Sequence, residues 1–389
     1  MNRLQALAIT AAFVLATGAA VAAEPVKLGM ITTLSTKAGY LGEDIRDGFL
    51  LAIDMAGGRL GGVEVELLIE DDELKPEKAQ RIAERMVTRD GVRLMTGIVF
   101  SNVAMATVPK LVRDGVVYVS PNAGPSALAG KGCHPNYFNV AWQNDNQHEA
   151  IGKYVSDQGL KRLFILAPNY PAGRDALAGF KRYYTGPLVG EAYTALDQSD
   201  YSSEIGAIRA AKPDGVFFFL PGGMGISFVK QYNLAGLSRD AALFGPGFSF
   251  DERLLKAVGE AAVGVHNGSQ WSHDLDNPTN RSFVAAFRET YGRTPTLYAS
   301  QGFDAANLIG GALAAVGGDV SNPARLAAAL KTAPFTSVRG AFAFGRNNHP
   351  IQDFYVREVV RLGDGTVTNR IKAKAFTAHH DAYAAECGM

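Results

Sequence analysis

"VKLGMITTLSTKAGYLGEDIRDGFLLAIDMAGG", Val26 to Gly58, sets the first unit of the fold. Val26 to Leu34 is a short, nearly continuous apolar run and reads as a buried strand. The remainder places Ile45, Phe49, Ala52, Ile53 and Ala56 on one face of a helix. A strand feeding an amphipathic helix of this kind implies a parallel βαβ unit with a right-handed crossover. The alternation continues with "VEVELLIEDD", then a helix opened by Pro76 with Ala79, Ile82, Ala83, Met86 and Val87 on its face and Gly91 placed to stop it. "VRLMTGIV", a helix from about Asn102, and "VVYVS" follow.

The pattern restarts after "FNVAWQNDNQHEA". A helix is expected over Glu149 to Ser156, then strand "RLFILA", helix Asp175 to Tyr183 and strand "LVGEAYT". A helix near Ser203 to Ala210, strand "DGVFFFL", a helix from about Gly225, strand "ALFG", a short helix and strand "AVGVHN" complete a second unit of the same kind. Three helices then run in sequence from Pro278, and "AFAFG", "DFYVREVVRL" and "TVTNRIKA" read as antiparallel strands. The chain is therefore α/β, with two similar halves and no short tandem repeat.

At 389 residues the length favours two domains. Lysine plus arginine and aspartate plus glutamate each total 38, a balance that argues against nucleic acid as a partner. Residues 1–23 combine an early arginine, an apolar stretch from Leu4 to Leu15 and small residues at Val21 and Ala23, the layout of a secretory signal peptide. The apolar part is short of the ~20 residues that span a bilayer. Export to the periplasm would place Cys133 and Cys387 in an oxidising compartment, where an even count without metal-ligand spacing favours one disulfide over two separate thiols.

The search for chemistry is mostly negative. No Walker loop occurs, and "PGGMG", Pro221 to Gly225, lacks the spacing that cradles a pyrophosphate. The seven histidines form no metal pair, and Ser101 and Ser120 sit in no hydrolase elbow. Neither a catalytic set, a metal site nor a cofactor is expected.

What remains is a group of strand-end turns. "VFSNVA" puts Ser101 and Asn102 where a strand gives way to a helix, so a hydroxyl and free N–H groups would suit a carboxylate. "VSPNAGPS" repeats the arrangement with Asn122, Ala123 and Gly124. Ser101 and Asn122 could equally serve as helix caps. "APNYPAGRDAL" offers Tyr170 in the second half and "KAGYLGED" offers Tyr40 in the first, each able to close over a small ligand or simply to pack at the surface.

The order of these pieces resembles the periplasmic solute-binding proteins of the branched-chain amino acid type that serve ABC importers. The opening strand and helix, "VSPNAGPS", "YPAGRDALAGF" and "YGRTPTLYASQGFDAANLI" carry the resemblance over essentially the whole mature chain. "GKGCHPNYFNVAWQNDNQHEA", "FFFLPGGMGISFVKQ" and "SQWSHDLDN" are similar to a subgroup that includes binders of lignin-derived aromatic acids. The resemblance implies a type I periplasmic binding protein: two Rossmann-like lobes joined by three crossing segments near Val140 to Asn144, Gly268 to Asp274 and Asn347 to Asp353. Lobe 1 would comprise 24–142 plus 272–349 and lobe 2 would comprise 143–271 plus 350–389. Such a protein acts as a monomer, closes over its ligand and delivers it to an inner-membrane ABC permease.

Carried over by position, the family's carboxylate-binding serine falls on Ser101 and its backbone site on Asn122 to Gly124. One second-lobe aromatic falls at or near Ala172, beside Tyr170, and another around Leu220 to Pro221. The acid that holds a ligand's amino group should fall in "FGPGFSFD" at about Gly247, where it is absent. A buried ammonium without its carboxylate typically loses ~3–5 kcal/mol, roughly a hundred- to several-thousand-fold in affinity, unless Asp72 or Asp304 substitutes. The expected ligand is therefore a carboxylate without an amine, an aromatic acid held by Ser101 and the Asn122 turn between Phe100, Tyr170 and Phe248. A branched-chain or other amino acid, or a role as an exported sensing subunit, are the alternatives.

Overall fold

The computed structural model describes residues 24–389; the expected leader, residues 1–23, lies outside the described residues. The first half contributes β1 (Val26–Thr32), β2 (Arg59–Leu60), β3 (Val63–Asp71), β4 (Leu94–Thr96), β5 (Val117–Ser120) and β6 (Tyr137–Asn139), in the spatial order β2-β3-β1-β4-β5-β6. All pairings are parallel except that of β2, the tight hairpin partner of β3. The second half contributes β7 (Leu163–Pro168), β8 (Leu188–Thr194), β9 (Gly215–Phe218), β10 (Ala242–Pro246) and β11 (His266–Ser269). The C-terminal strands β12 (Phe342–Phe344), β13 (Pro350–Arg361) and β14 (Val367–His379) add antiparallel to the same eight-stranded sheet, ordered β12-β13-β11-β10-β9-β7-β8 with β14 on β13.

Both sheets reverse their winding direction once, between β1 and β4 in the first and between β7 and β9 in the second. In open α/β sheets such reversals open a crevice at the carboxyl ends of the strands, the usual place for a ligand. The residues after β4, β5, β7, β9 and β10 are the strand-end turns singled out above.

The crossover helices that matter for the site are α1 (Gly39–Met55), α2 (Pro76–Thr88), α3 (Ser101–Arg113), the single turn α4 (Ser126–Ala129), α5 (Asn146–Asp157) and α6 (Pro171–Tyr183). Two of them start earlier than their apolar periodicity predicts. α5 begins at Asn146 rather than Glu149, because its first turn is polar and buried. α6 begins at Pro171 rather than Asp175, since proline at the first helical position costs no hydrogen bond. The strand expected over "VRLMTGIV" shrinks to Leu94–Thr96, and the freed residues become the loop that enters α3.

The helices Pro278–Tyr291, Leu297–Val316 and Pro323–Thr332 return the chain to the first half. Leu297–Val316 lies against α1 at near backbone contact: a Cβ on Gly48 would fall 1.9 Å from Ala299 O, and one on Gly302 would fall 2.0 Å from Ile45 O. Only glycine permits that approach.

The segments between the two sheets are tied to one another by buried polar groups. Arg339, paired with Asp304, donates to Ala141 O (3.1 Å) and Gln352 Oε1 (2.6 Å), and Gln352 Nε2 donates to Ala141 O (2.6 Å). Gln147 Nε2 donates to Gln270 Oε1 (2.8 Å). The β12–β13 hairpin belongs to the second sheet, yet its turn touches the first, with Asn139 N–H donating to Asn348 O (2.9 Å). Cys133 and Cys387 form a disulfide that joins the C-terminal tail to the loop before β6.

Candidate functional site

A cavity lies between the carboxyl ends of the two sheets, where strand-end turns of both halves converge. The first half supplies Leu41 from α1, Val99, Phe100 and Ser101 from the entry to α3, and Asn122 and Ala123 after β5. The second supplies His148 from α5, Tyr170 and Ala172 from the entry to α6, Phe219 and Pro221 after β9, and Phe248 after β10. Trp142 and Asn144 come from the first crossing segment and Tyr298 from the helix packed on α1.

The walls are aromatic. Trp142 and Phe248 stack at 5.5 Å between ring centroids, Phe219 meets Phe248 edge-on at 5.1 Å, and Tyr170 lies 6.0 Å from Phe219 and 6.4 Å from Phe100. Rings at these separations are in contact with one another and give the cavity a flat apolar wall.

Two helix N-termini open onto the same space. Neither α3 nor α6 carries a side-chain cap, and Ser101 and Ala172 sit in their first turns. Uncapped N–H groups and the helix dipole both favour an anion there. Ser101 Oγ accepts from Asn144 Nδ2 (3.1 Å), which leaves its own proton free to donate to a ligand. Asn144 also donates to Asp175 Oδ2 (3.0 Å) and accepts from Gly124 N–H (3.1 Å), so one crossing residue fixes α3, α6 and the turn after β5.

No aspartate or glutamate lines the cavity. Asp72 and Asp304, the acids that could substitute, are not among its lining, although Asp72 Oδ2 is buried without a partner. Asp175 accepts from Ser126 N–H (3.0 Å) and Ser126 Oγ (2.6 Å), Asp72 from Thr33 Oγ1 (2.7 Å), and Asp304 is paired with Arg339. Asp251 caps the helix that begins at Glu252 and accepts from Tyr40 Oη (3.0 Å); burial raises its carboxyl to about 7.

Of the residues picked from the sequence, Phe100, Ser101, Asn122, Ala123, Tyr170, Ala172, Pro221 and Phe248 face this cavity together. Tyr40, Asn102, Gly124, Leu220 and Gly247 are not among its lining. Tyr40 bonds Asp251, with Arg253 4.9 Å from its ring. Asn102 sits one residue inside α3, and its Oδ1 is buried without a partner. Gly124 spends its N–H on Asn144, and a Cβ there would strike Trp142 O at 2.1 Å. Leu220 packs in the second half's own core while its neighbours Phe219 and Pro221 face the ligand space, as alternation along an extended segment requires.

Gly247 is the instructive case. Its N–H is held by Gln147 Oε1 (2.9 Å), its carbonyl accepts from Arg357 (2.9 Å), and a Cβ would lie 2.7 Å from Ser269 Cβ. A side chain at this position would point into packed protein, so the residue that faces the ligand space in "FGPGFSFD" is Phe248. The site lacks an acid because Phe248 is a phenylalanine, rather than because Gly247 is a glycine.

The Asn122 side chain is partly committed within the first half. One Nδ2 hydrogen is donated to Val99 O (2.7 Å), and Oδ1 is buried without a partner. Trp142, Asn144, His148, Phe219 and Tyr298, along with Leu41 and Val99, were not picked from the sequence; the adjacency of "AWQND" to the first crossing was the one available signal.

The family model described as periplasmic binding protein matches residues 25–366. The Leu/Ile/Val-binding protein homolog 6 of Brucella melitensis is 30% identical over 94% of this chain and 95% of its own. An ABC-transporter solute-binding protein from R. palustris, solved in complex with benzoate, superposes with a TM-score of 0.88 at 33% identity, covering 94% of this chain and 100% of that one. A solute-binding protein from Rhodopseudomonas palustris BisB5, in complex with 3,4-dihydroxy benzoic acid, gives 0.87 at 29%, covering 92% and 99%. No helix among the described residues is long and apolar enough to cross a membrane. With the fold, the interlobe cavity and these matches together, the chain belongs to the periplasmic binding protein family, whose members are non-enzymatic solute-binding components of ABC transporters.

Proposed function

We propose that this protein captures a carboxylate that bears no amine, an aromatic acid of the benzoate or cinnamate type, and delivers it to an inner-membrane ABC permease. The observation that carries the reading is the pairing of two uncapped helix N-termini with an aromatic cavity that no acid lines. An anion is favoured at one end and a flat apolar body between the walls, whereas an ammonium would be buried without a counter-charge. The benzoate and dihydroxybenzoate complexes of similar proteins support it. The names of the sequence relatives favour a branched-chain amino acid instead.

The reading includes export by residues 1–23 to the periplasm, action as a monomer, and closure of lobe 1 (24–142 plus 272–349) on lobe 2 (143–271 plus 350–389). Ligand would favour the closed form because only there does it touch both lobes. A thermal-shift screen of the mature chain tests the ligand class, since what binds the native state raises its melting temperature. Benzoate- or cinnamate-type acids should stabilise it and leucine and valine should not; the opposite pattern overturns the proposal.

A further inference from the structure

His148 contributes an unused hydrogen-bond acceptor to the cavity. It lies within α5, is 1% exposed, and is wedged between Phe219 (ring centroids at 5.4 Å), Phe248 (5.8 Å) and Phe217 (5.8 Å). Its Nδ1 stands 2.7 Å from Asn144 O, a carbonyl that can only accept, so the proton sits on Nδ1. Burial lowers the ring to about 4, which keeps it neutral at pH 7 and leaves Nε2 as a bare lone pair. That atom is buried and finds no partner in the protein. Asn122 Oδ1, on the wall contributed by the first half, is a second acceptor in the same condition. Buried acceptors in a ligand cavity are complementary to a ligand that brings donors.

We infer that His148 Nε2 accepts a hydrogen bond from a ring hydroxyl of the ligand, so the preferred ligand is a hydroxylated aromatic acid rather than an unsubstituted one. The inference rests on the aromatic-acid reading and refines it at the same site. A carboxylate alone leaves the Nε2 lone pair unmatched, because both are acceptors. A phenolic hydroxyl supplies the donor without adding a charge that would need an acid partner.

Titration calorimetry with benzoate, 3-hydroxybenzoate and 4-hydroxybenzoate on the wild type, His148→Phe and His148→Gln tests this. On the wild type at least one hydroxybenzoate should bind ~10-fold or more tighter than benzoate. In His148→Phe that ratio should fall towards one, whatever happens to the absolute affinities, and in His148→Gln, whose amide oxygen can accept, part of it should return. A ratio near one on the wild type overturns the inference while leaving the aromatic-acid reading intact, and so does a ratio that survives in His148→Phe. Binding of leucine with no aromatic acid bound overturns both. If His148→Phe does not fold, the wild-type ratio and His148→Gln still decide.

Discussion

Replacing Ser101 with alanine deletes the one aliphatic hydroxyl among the residues that line the cavity, the others being the phenols of Tyr170 and Tyr298. A hydrogen bond to a charged partner contributes ~1.5–3 kcal/mol, so affinity for a carboxylate ligand should fall roughly 10- to 100-fold by calorimetry. Unchanged affinity would remove Ser101 from the site. Gly247→Ala places its Cβ 2.7 Å from Ser269 Cβ, and overpacking of this kind costs ~1–3 kcal/mol. A lowered melting temperature is expected; an unaltered one would mean that the β10 turn yields freely. At this scale the sequence revealed the residues whose role is local. Ser101, Asn122 and Ala123 stand where a strand ends, which a single strand-helix unit already displays. Leu220 and Gly247 miss the cavity by one position, because which neighbour faces inward is set by the pleat and by what packs behind it. His148 and Tyr298 lie inside helices, where an aromatic or a histidine has the same periodicity whether it faces core or ligand.

Between elements, the two halves meet through Tyr40 and Asp251, and through Arg253, which donates to Glu43 (3.1 Å) and Asp44 (3.1 Å) of α1. The Asp251 carboxyl is raised to about 7, chiefly by burial. An unfolded aspartate releases its proton near ~3.9, so the folded chain binds the extra proton between those values. The contribution of Asp251 to stability is therefore fully present below about pH 4 and is lost as pH rises towards 7. Asp251→Asn keeps an oxygen for the helix cap and carries no charge at any pH. Its unfolding free energy, measured by denaturant titration from pH 4 to 8, should gain on the wild type as pH rises, by of the order of 1–3 kcal/mol at the upper end. A constant or reversed difference would show that the wild-type carboxylate is well accommodated in its ionised form. None of this was legible in the sequence, since Tyr40 and Asp251 lie 211 residues apart and meet only through the packing of the two halves.

At the scale of the molecule, the alternation of strand and helix was enough to give two parallel sheets and the antiparallel C-terminal strands. The short strands β4 and β6 and the polar first turn of α5 were blurred, because a few buried residues carry no period to read. The disulfide belongs to this scale as well, with 254 residues between its ends. A crosslink over so long a loop restricts the unfolded chain by ~5 kcal/mol in the chain-entropy description. Cys387→Ser should therefore melt well below the oxidised wild type, and reduced wild type should fall with it; equal melting points would mean that the bond adds nothing to the tail's other contacts. Those contacts include Tyr383 Oη donating to Asp145 Oδ2 (3.0 Å) and Asn347 Nδ2 donating to Asp381 Oδ2 (3.0 Å).

The same bond also makes most of the protein a covalent ring. From Cys133 to Cys387 the backbone closes on itself, and the whole eight-stranded sheet lies inside that circuit. A single proteolytic cut anywhere between the two cysteines opens the ring without producing two molecules. Nicked protein should run as one species on a non-reducing gel and separate into fragments only after reduction.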